Sequence, residues 1–224
     1  MKIAEVFCSV QGEGKLVGVP SVFVRTSGCN LRCKWCDTPY TSWTPEGVAR
    51  SVASLVEEVA AYGVRHVVVT GGEPLIAPEV VLLTSELRAR GMHITVETAG
   101  TVYAPVACDL MSISPKLANS TPDDLKWGPI HERTRLRFDV LRQLLAEYVY
   151  QLKFVVADPG DLGEILSLVG ELGAPVEHVL LMPEGRSPEV LRERALWLVP
   201  LCLQYGFRYS PRVQVDIWGD TRGV

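Results

Sequence analysis

His66-Val67-Val68-Val69-Thr70, followed directly by Gly71-Gly72-Glu73-Pro74, gives the clearest indication of the architecture. Its valine run is continuous rather than alternating, which is typical of a strand buried on both faces of a parallel sheet. Glycines after such a strand allow the backbone to approach a ligand closely, although a simple tight turn would use them equally well. The segment therefore predicts a parallel-sheet protein with a candidate ligand site where this strand ends.

Strand-like and helix-like segments alternate on both sides of that strand. Further strands are predicted at 21–25, 94–97, 110–114, 152–156, 179–182 and 213–217, and helices at about 48–60, 78–90, 138–148, 162–172 and 188–205. This alternation predicts parallel strands joined by right-handed crossovers. Five helices are too few for a complete eightfold barrel, so we expect an α/β fold of the partial, incomplete parallel β/α barrel type.

Length and composition place limits on the kind of protein. The chain has 224 residues, 47% of them apolar, which is enough for one domain spanning 1–224. Within it, the stretch at about 116–135 is rich in Pro, Asp, Lys and Asn and predicts an irregular surface excursion. A net charge of -4 argues against nucleic acid as a direct partner. No apolar run long enough for a membrane and no signal-peptide pattern occur, so we expect a cytoplasmic protein.

Three of the six cysteines lie in one short segment, Cys29-Asn30-Leu31-Arg32-Cys33-Lys34-Trp35-Cys36. Close spacing in an intracellular chain indicates metal ligation, whereas Cys8, Cys108 and Cys202 are interpreted as core residues. A structural zinc needs four ligands, so zinc would require Asp37 or a distant histidine to complete the triplet. A cubane iron-sulfur cluster is commonly held by four cysteines. With only three cysteines, one iron of the cluster stays open to a small molecule, which indicates a catalytic role rather than a structural one.

Polar residues follow several of the predicted strands at the point where each strand ends. Arg25, Thr70, Glu97 and the segment Ser114-Pro115-Lys116 all occupy such positions. Because the carboxyl ends of parallel strands meet at one edge, active sites of α/β proteins form there. The cysteine segment leaves the same edge, so we expect a single site that collects all of these residues.

The spacing Cys-x3-Cys-x2-Cys at 29, 33 and 36 resembles the signature of the radical S-adenosylmethionine (SAM) superfamily. The resemblance implies a [4Fe-4S] cluster whose open iron is chelated by the amino and carboxylate groups of SAM. One electron from the reduced cluster then cleaves SAM into methionine and a 5'-deoxyadenosyl radical. Gly71-Gly72-Glu73-Pro74 resembles the superfamily segment that receives the SAM amino group.

Over nearly its whole length the chain resembles the 7-carboxy-7-deazaguanine synthase family within that superfamily. The matching segments are, in order, Glu5-Val6-Phe7, Val10-Gln11-Gly12-Glu13-Gly14, Phe23-Val24-Arg25, Gly28-Cys29-Asn30-Leu31-Arg32-Cys33, Trp35-Cys36-Asp37-Thr38, Glu97-Thr98-Ala99-Gly100-Thr101, Ser114-Pro115-Lys116, Leu152-Lys153-Phe154-Val155-Val156, Met182-Pro183-Glu184-Gly185 and Trp218-Gly219. Two segments depart from the family. Ala99 stands where asparagine is frequent, and Pro211-Arg212-Val213-Gln214 replaces Pro-Gln-x-His.

The resemblance implies a carbon-nitrogen lyase in queuosine or other 7-deazapurine biosynthesis. Its substrate would be 6-carboxy-5,6,7,8-tetrahydropterin, which loses the hydrogen at C6 to the adenosyl radical. The ring then contracts, ammonia leaves, and 7-carboxy-7-deazaguanine forms while SAM is regenerated. By analogy we also expect a homodimer and a flavodoxin or ferredoxin as electron donor.

Residue roles follow from the resemblance wherever this sequence matches the family pattern. The predicted substrate-binding residues are Val10, Gln11, Gly12, Glu13, Arg25, Thr70 and, at the end of a tail expected to fold over the pocket, Val224. The predicted SAM-binding residues are Trp35, Asp37, Gly72, Glu97, Ser114, Pro115, Lys116, Met182, Pro183 and Glu184. Cys29, Cys33 and Cys36 would hold the cluster, and Thr38 resembles a magnesium ligand. Lys153 lies within an apolar strand and, like the four histidines, receives no role.

Two other interpretations remain open at the level of sequence. A glycyl-radical activating enzyme would have a similar size, cysteine triplet and Gly-Gly-Glu-Pro segment, but would act on a protein glycine. A zinc-stabilised binding module would have no catalytic activity and would contain zinc instead of iron.

Overall fold

The computed structural model describes residues 1–224 and contains one nine-stranded sheet. Its strands are β1 (Lys2–Val10), β2 (Pro20–Thr26), β3 (Val48–Ala49), β4 (His66–Gly71), β5 (His93–Thr98), β6 (Leu110–Ile113), β7 (Tyr150–Val156), β8 (Val179–Pro183) and β9 (Arg208–Tyr209). Its helices are α1 (Pro39–Ser42), α2 (Val52–Ala61), α3 (Val80–Ala89), α4 (Trp127–Thr134), α5 (Phe138–Glu147), α6 (Leu162–Leu172), α7 (Pro188–Tyr205) and α8 (Val213–Trp218). None of these helices is long and apolar enough to span a bilayer.

The strands are ordered β3-β1-β2-β4-β5-β6-β7-β8-β9 across the sheet. From β2 to β9 every neighbouring pair is parallel, whereas β1 runs antiparallel to both β2 and β3. The sheet does not close on itself, so the predicted partial β/α barrel is confirmed. The antiparallel extension at the amino-terminal side was not predicted.

The valine run of β4 lies at the centre of the sheet and is covered on both faces. Val67, Val68 and Val69 are at most 2% exposed. Burying each of them contributes roughly 1.5–3 kcal/mol relative to leaving it in water. A rigid central strand therefore fixes the position of the glycine segment that follows it.

Helix α2 begins later than the sequence predicted. The predicted start near residue 48 is wrong, because Ser51 caps the helix by accepting a hydrogen bond from the Ser54 N–H at 3.1 Å. Val48 pairs with β1 instead, as part of the two-residue strand β3.

Two other segments also differ from their predicted conformations. The alternating valines and isoleucine at 213–217 predicted a strand, yet the segment forms α8 and buries only Val215. The last position of the sheet is taken instead by the two-residue strand β9, which pairs with β8. Within the predicted irregular excursion, residues 127–134 form α4, which buries Gly128 and His131, and His131 contacts the cysteine segment at Arg32.

Candidate active site

The carboxyl ends of the parallel strands surround a cavity of about 370 Å³, within the range that holds small-molecule ligands. Eighteen of the twenty-one predicted site residues line it, namely Val10, Gln11, Gly12, Glu13, Arg25, Cys29, Cys33, Trp35, Cys36, Asp37, Thr38, Thr70, Gly72, Glu97, Ser114, Lys116, Met182 and Val224. Pro115, Pro183 and Glu184 lie outside the lining, and Glu184 pairs with Arg194. The structure thus gathers the predicted substrate, SAM and cluster residues at one place.

The three clustered thiols occupy one wall of the cavity. Cys33 is 8% exposed and packs with Leu31 and Ala99, while Cys29 and Cys36 lie against the same small group. Burial raises the pKa of Cys29 to about 11 and that of Cys33 to about 12, although the positive charge of Lys116 opposes both shifts. Cysteines this hard to ionise are poor ligands until a metal supplies positive charge.

The donor set of this wall fits an iron-sulfur cluster better than a single ion. The three sulfurs are soft donors, the kind that select iron-sulfur clusters and zinc. No three ligand side chains converge on one point, as a lone zinc ion would require. Thr38 Oγ1 lies 3.8 Å from Cys36 Sγ, which places a hydroxyl beside the thiol wall.

Gly72 lies where the glycine segment crosses the start of the cysteine loop. A Cβ at Gly72 would lie 2.1 Å from the Gly28 carbonyl oxygen and 2.8 Å from the Thr41 carbonyl oxygen. Glu73 then donates its backbone N–H to the same Gly28 oxygen at 2.9 Å. The absence of a side chain at position 72 is therefore required for two cavity segments to touch.

Glu73 is fully buried and ties that segment to the end of β5. Its carboxylate accepts hydrogen bonds from the Ala99 N–H at 2.8 Å, the Leu75 N–H at 3.1 Å and the Thr98 hydroxyl at 2.8 Å. Burial nevertheless raises the pKa of Glu73 above its usual value. Sequence reasoning assigned this glutamate no separate role, and the structure makes it an internal tie below the cavity.

A chain of hydrogen bonds runs across the floor of the cavity from β4 to the end of β1. Thr70 Oγ1 donates to Glu97 Oε2 at 2.9 Å, and Gln11 Nε2 donates to Glu97 Oε1 at 3.2 Å. Gln11 Oε1 in turn accepts the Glu13 N–H at 3.1 Å. Glu97 therefore joins predicted substrate residues directly, although the resemblance placed it with SAM.

Arg25 lies on the opposite side of the cavity floor, and some of its N–H groups have no acceptor within the protein. Its Nε donates to Glu5 Oε1 at 2.5 Å, and Tyr40 and Arg222 contact the same carboxylate. Its terminal nitrogens donate to no protein acceptor, so they are available to a ligand carboxylate. Arg222 also stacks on Tyr40 at 3.8 Å, which holds the carboxyl-terminal tail along the cavity.

Three side chains that received no predicted role converge on Glu13. Lys153 contacts Glu13 Oε2, while Arg212 Nε and Gln214 Nε2 donate to Glu13 Oε1 at 3.0 Å and 2.8 Å. Burial alone would raise the pKa of Glu13, but the ammonium and guanidinium groups hold that pKa far below its usual value. A lysine within an apolar strand was the only signal in the sequence, and Lys153 pairs inside the cavity rather than reaching the rim.

The ring of His131 supports the cysteine loop from behind. Its Nδ1 accepts the Arg32 backbone N–H at 3.1 Å, so the neutral ring carries its proton on Nε2, 2.9 Å from Ser120 Oγ. Burial, followed by the positive charge of Arg135, lowers the pKa of His131 to about 4. Its isolated position in the sequence gave no indication of this contact.

We expect acid to destabilise the cluster-free, reduced protein through His131. Because the folded pKa lies below the unfolded value near 6.5, stability is present above pH 6.5 and is lost as pH falls toward 4, by about 2 kcal/mol. Urea unfolding at pH 7, 6, 5 and 4 measures this loss. His131→Gln should be less stable at pH 7 but have a flatter slope; equal slopes for the two proteins would contradict the assignment.

Comparison with sequence families and solved structures gives a consistent result. The sequence model of the Radical SAM superfamily matches residues 23–142. A 7-carboxy-7-deazaguanine synthase from Rhodopirellula baltica is 47% identical over 226 aligned residues, covering 99% of this chain and 88% of that protein. Another from Halobacterium salinarum is 46% identical and covers 99% of this chain and 91% of that protein.

Solved structures show the same fold. The crystal structure of QueE from Escherichia coli aligns with a TM-score of 0.68 at 26% identity, covering 94% of this chain and 92% of that one. The structure of anSMEcpe with bound AdoMet aligns with a TM-score of 0.52 at 15% identity, covering 86% of this chain and 64% of that one. At that low identity the second match shows only a shared fold.

Proposed function

Because the chain belongs to the 7-carboxy-7-deazaguanine synthase family of the radical SAM superfamily, we propose that it converts 6-carboxy-5,6,7,8-tetrahydropterin to 7-carboxy-7-deazaguanine with loss of ammonia. One observation carries the proposal: the three-cysteine wall, the glycine segment after β4 and the polar strand ends all line a single cavity. The relatives give no support to the alternative of a glycyl-radical activating enzyme.

The cluster and SAM occupy the side of the cavity formed by the cysteine loop. Cys29, Cys33 and Cys36 hold the [4Fe-4S] cluster, which when bound supplies the electron that cleaves SAM. Gly72 lets the backbone approach the SAM amino group closely. Trp35 forms the neighbouring wall, where Lys116 Nζ lies 5.6 Å from the centre of its ring.

The pterin occupies the opposite side, between β1, β2 and β4. The free terminal nitrogens of Arg25 bind the substrate carboxylate through two parallel charge-assisted hydrogen bonds. Gln11 and Thr70 are already oriented by Glu97, so they lose little side-chain entropy when substrate binds. The tail from Gly219 to Val224 lies along the cavity and excludes water from the reacting centre.

Magnesium binds at Thr38, beside the cluster wall. A hydroxyl together with substrate oxygens and waters suits this ion, which keeps several waters when it binds protein. The Thr38 carbonyl is already used by Thr41, so the side-chain oxygen is the available ligand. We also propose a cytoplasmic location, since six unpaired cysteines suit a reducing compartment.

We also propose an acidic electron carrier and a homodimeric assembly. Arg32 and Lys34 give the cysteine loop two positive charges, which suits an acidic carrier such as a flavodoxin or ferredoxin. Helix α7 exposes Leu196 and Leu203 by about 80% each, and such an apolar face suits a homodimer.

The proposal is tested by incubating anaerobically reconstituted protein with SAM, a reductant, magnesium and 6-carboxytetrahydropterin. We expect 7-carboxy-7-deazaguanine by mass spectrometry, one ammonia per product, and SAM that is not consumed in proportion to product. A reaction without magnesium tests the role of that ion, and aerobic protein without cluster serves as the blank. Absence of product from protein that carries its cluster and cleaves SAM would contradict the proposal.

A further inference from the structure

The backbone amides of the cysteine loop differ in where they donate their hydrogen bonds. The Leu31 N–H donates to Cys29 Sγ at 3.3 Å, and it is the only amide between Cys29 and Cys36 that donates to a cysteine sulfur. The next amide along the chain, Arg32 N–H, donates instead to His131 Nδ1 at 3.1 Å. The loop therefore directs one N–H at a predicted cluster ligand and turns the neighbouring N–H away.

The acceptor at His131 is fixed by its own surroundings. Because a backbone N–H can only donate, His131 Nδ1 must carry a lone pair, so the ring is neutral with its proton on Nε2. Nε2 lies 2.9 Å from Ser120 Oγ, whose hydroxyl donates to the Leu117 carbonyl at 2.6 Å. The Ser120 carbonyl also accepts the Lys34 N–H at 2.9 Å. His131 and Ser120 are at most 1% exposed, so water does not compete for these contacts.

The direction of an amide beside an iron-sulfur cluster matters because hydrogen bonds to the sulfurs change the reduction potential of the cluster. An N–H that donates to a sulfur stabilises the additional negative charge of the reduced form. Each such bond therefore raises the potential and makes the reduced cluster a weaker electron donor. A sulfonium such as SAM is hard to reduce, so a loop that serves SAM cleavage benefits when its amides donate elsewhere.

We propose that His131 is a positioning residue that keeps the reduction potential of the cluster low, because it accepts the Arg32 N–H and so withholds this amide from the cluster sulfurs. The inference rests on the cluster in the proposed function and not on the pterin substrate. His131 forms no hydrogen bond to a cysteine and does not line the cavity. It acts through the backbone of Arg32 and, being neutral, not through its own charge.

His131→Leu tests the proposal by replacing the ring with an apolar side chain that cannot accept a hydrogen bond. The Arg32 N–H then has no acceptor in a site closed to water, which is unfavourable for a buried amide. We expect the loop to turn this N–H toward the cluster sulfurs, as Leu31 N–H already does. The equilibrium constant for reducing the cluster should rise about tenfold, which raises the potential of this one-electron couple by about 59 mV.

Two further variants separate the hydrogen bond from the loss of a histidine. In His131→Asn the amide oxygen replaces Nδ1 as the acceptor for Arg32 N–H, so the equilibrium constant should stay within about twofold of the wild type. His93→Leu removes a ring that stacks on His66 at the start of β5 and should leave the potential unchanged. Each potential is measured by redox titration of cluster-loaded protein without SAM, at one fixed pH, with the reduced cluster detected by electron paramagnetic resonance (EPR).

A measurement on the wild type decides the proposal even if His131→Leu does not fold or does not bind its cluster. Reduced protein is labelled with nitrogen-15 at the backbone amides of either leucine or arginine, and pulsed EPR detects coupling of these nitrogens to the cluster. We expect stronger coupling from the leucine label, because Leu31 N–H donates to a cluster ligand and Arg32 N–H does not. Stronger coupling from the arginine label would overturn the proposal.

The outcomes separate this inference from a structural role and from the proposed function. A purely structural role predicts lower iron content or a lower melting temperature, with a wild-type potential in the molecules of His131→Leu that keep the cluster. That result, or a shift in His131→Asn as large as in His131→Leu, overturns the role of His131 alone. Shifted potentials in a protein that forms no 7-carboxy-7-deazaguanine support this inference and contradict the proposed substrate, whereas wild-type protein that binds no cluster overturns both.

Discussion

Cys33→Ala is expected to yield colourless protein that no longer cleaves SAM. Cys33 is the most buried of the three thiols on the cavity wall, and without it two sulfurs remain to hold the cluster. Wild-type protein reconstituted without oxygen should carry about four irons and four sulfides per chain. The variant should retain less than about one tenth of that iron. Iron, sulfide and zinc analysis together with release of 5'-deoxyadenosine under reducing conditions measures both effects.

Cys202→Ala is the matched control for this experiment. Cys202 is an equally buried thiol, 3% exposed, but it lies in α7 away from the cavity. Its removal should cost about 1 kcal/mol of stability through lost packing and leave iron content and SAM cleavage unchanged. Stoichiometric zinc without sulfide in the wild type, or full SAM cleavage by Cys33→Ala, would rule out the cluster assignment.

Gly72→Ala is expected to abolish SAM binding while leaving the sheet folded. The added methyl group meets two backbone oxygens, of Gly28 and Thr41, and backbone cannot rotate away as a flexible side chain could. The Gly28 carbonyl must move, which breaks its hydrogen bond to the Glu73 N–H and shifts the residue before Cys29. We expect about 2–3 kcal/mol lower stability and at least about 100-fold weaker SAM binding by the cluster-loaded protein.

Gly170→Ala provides the control for a glycine-to-alanine change. Gly170 lies inside α6, and a Cβ there meets no atom within 4 Å. Alanine is the better helix former, so this variant should gain about 0.5–1 kcal/mol and bind SAM as the wild type does. Equal SAM affinity for Gly72→Ala and Gly170→Ala would mean that the close approach at Gly72 does not matter for the cofactor.

Local signals predicted much of the fold correctly. The predicted bounds of α6 and α7 agree with the structure, since Gly173 and Gly206 end these helices in the left-handed conformation and Ser187 caps the start of α7. The strand predicted at 213–217 was wrong. Its alternation of apolar and polar residues is typical of a strand, but the segment forms a helix and tertiary packing buries only Val215. Periodicity describes what a segment could bury, and the neighbouring elements decide what it does bury.

Some residues of the candidate site could be predicted from the sequence and others could not. Motif residues such as Gly72 and the three cysteines could be placed together because each follows a strand end at the same edge. Arg212 could not, since its partners Glu13 and Asp37 lie more than 170 positions away in the sequence and no pattern links them. Family resemblance gave no help either, because Arg212 and Gln214 lie in a segment that departs from the family's Pro-Gln-x-His pattern.

The two outermost strands, β3 and β9, have only two residues each. Such short ends leave most of the neighbouring strand uncovered, since β3 pairs only with Lys2 and Ile3 of the nine-residue β1. From Ala4 to Val10 the outer edge of β1 has no strand partner, and an unpaired edge of that length can add a strand from another molecule. We therefore expect losses during denaturation and refolding at high concentration to come from strand addition at β1.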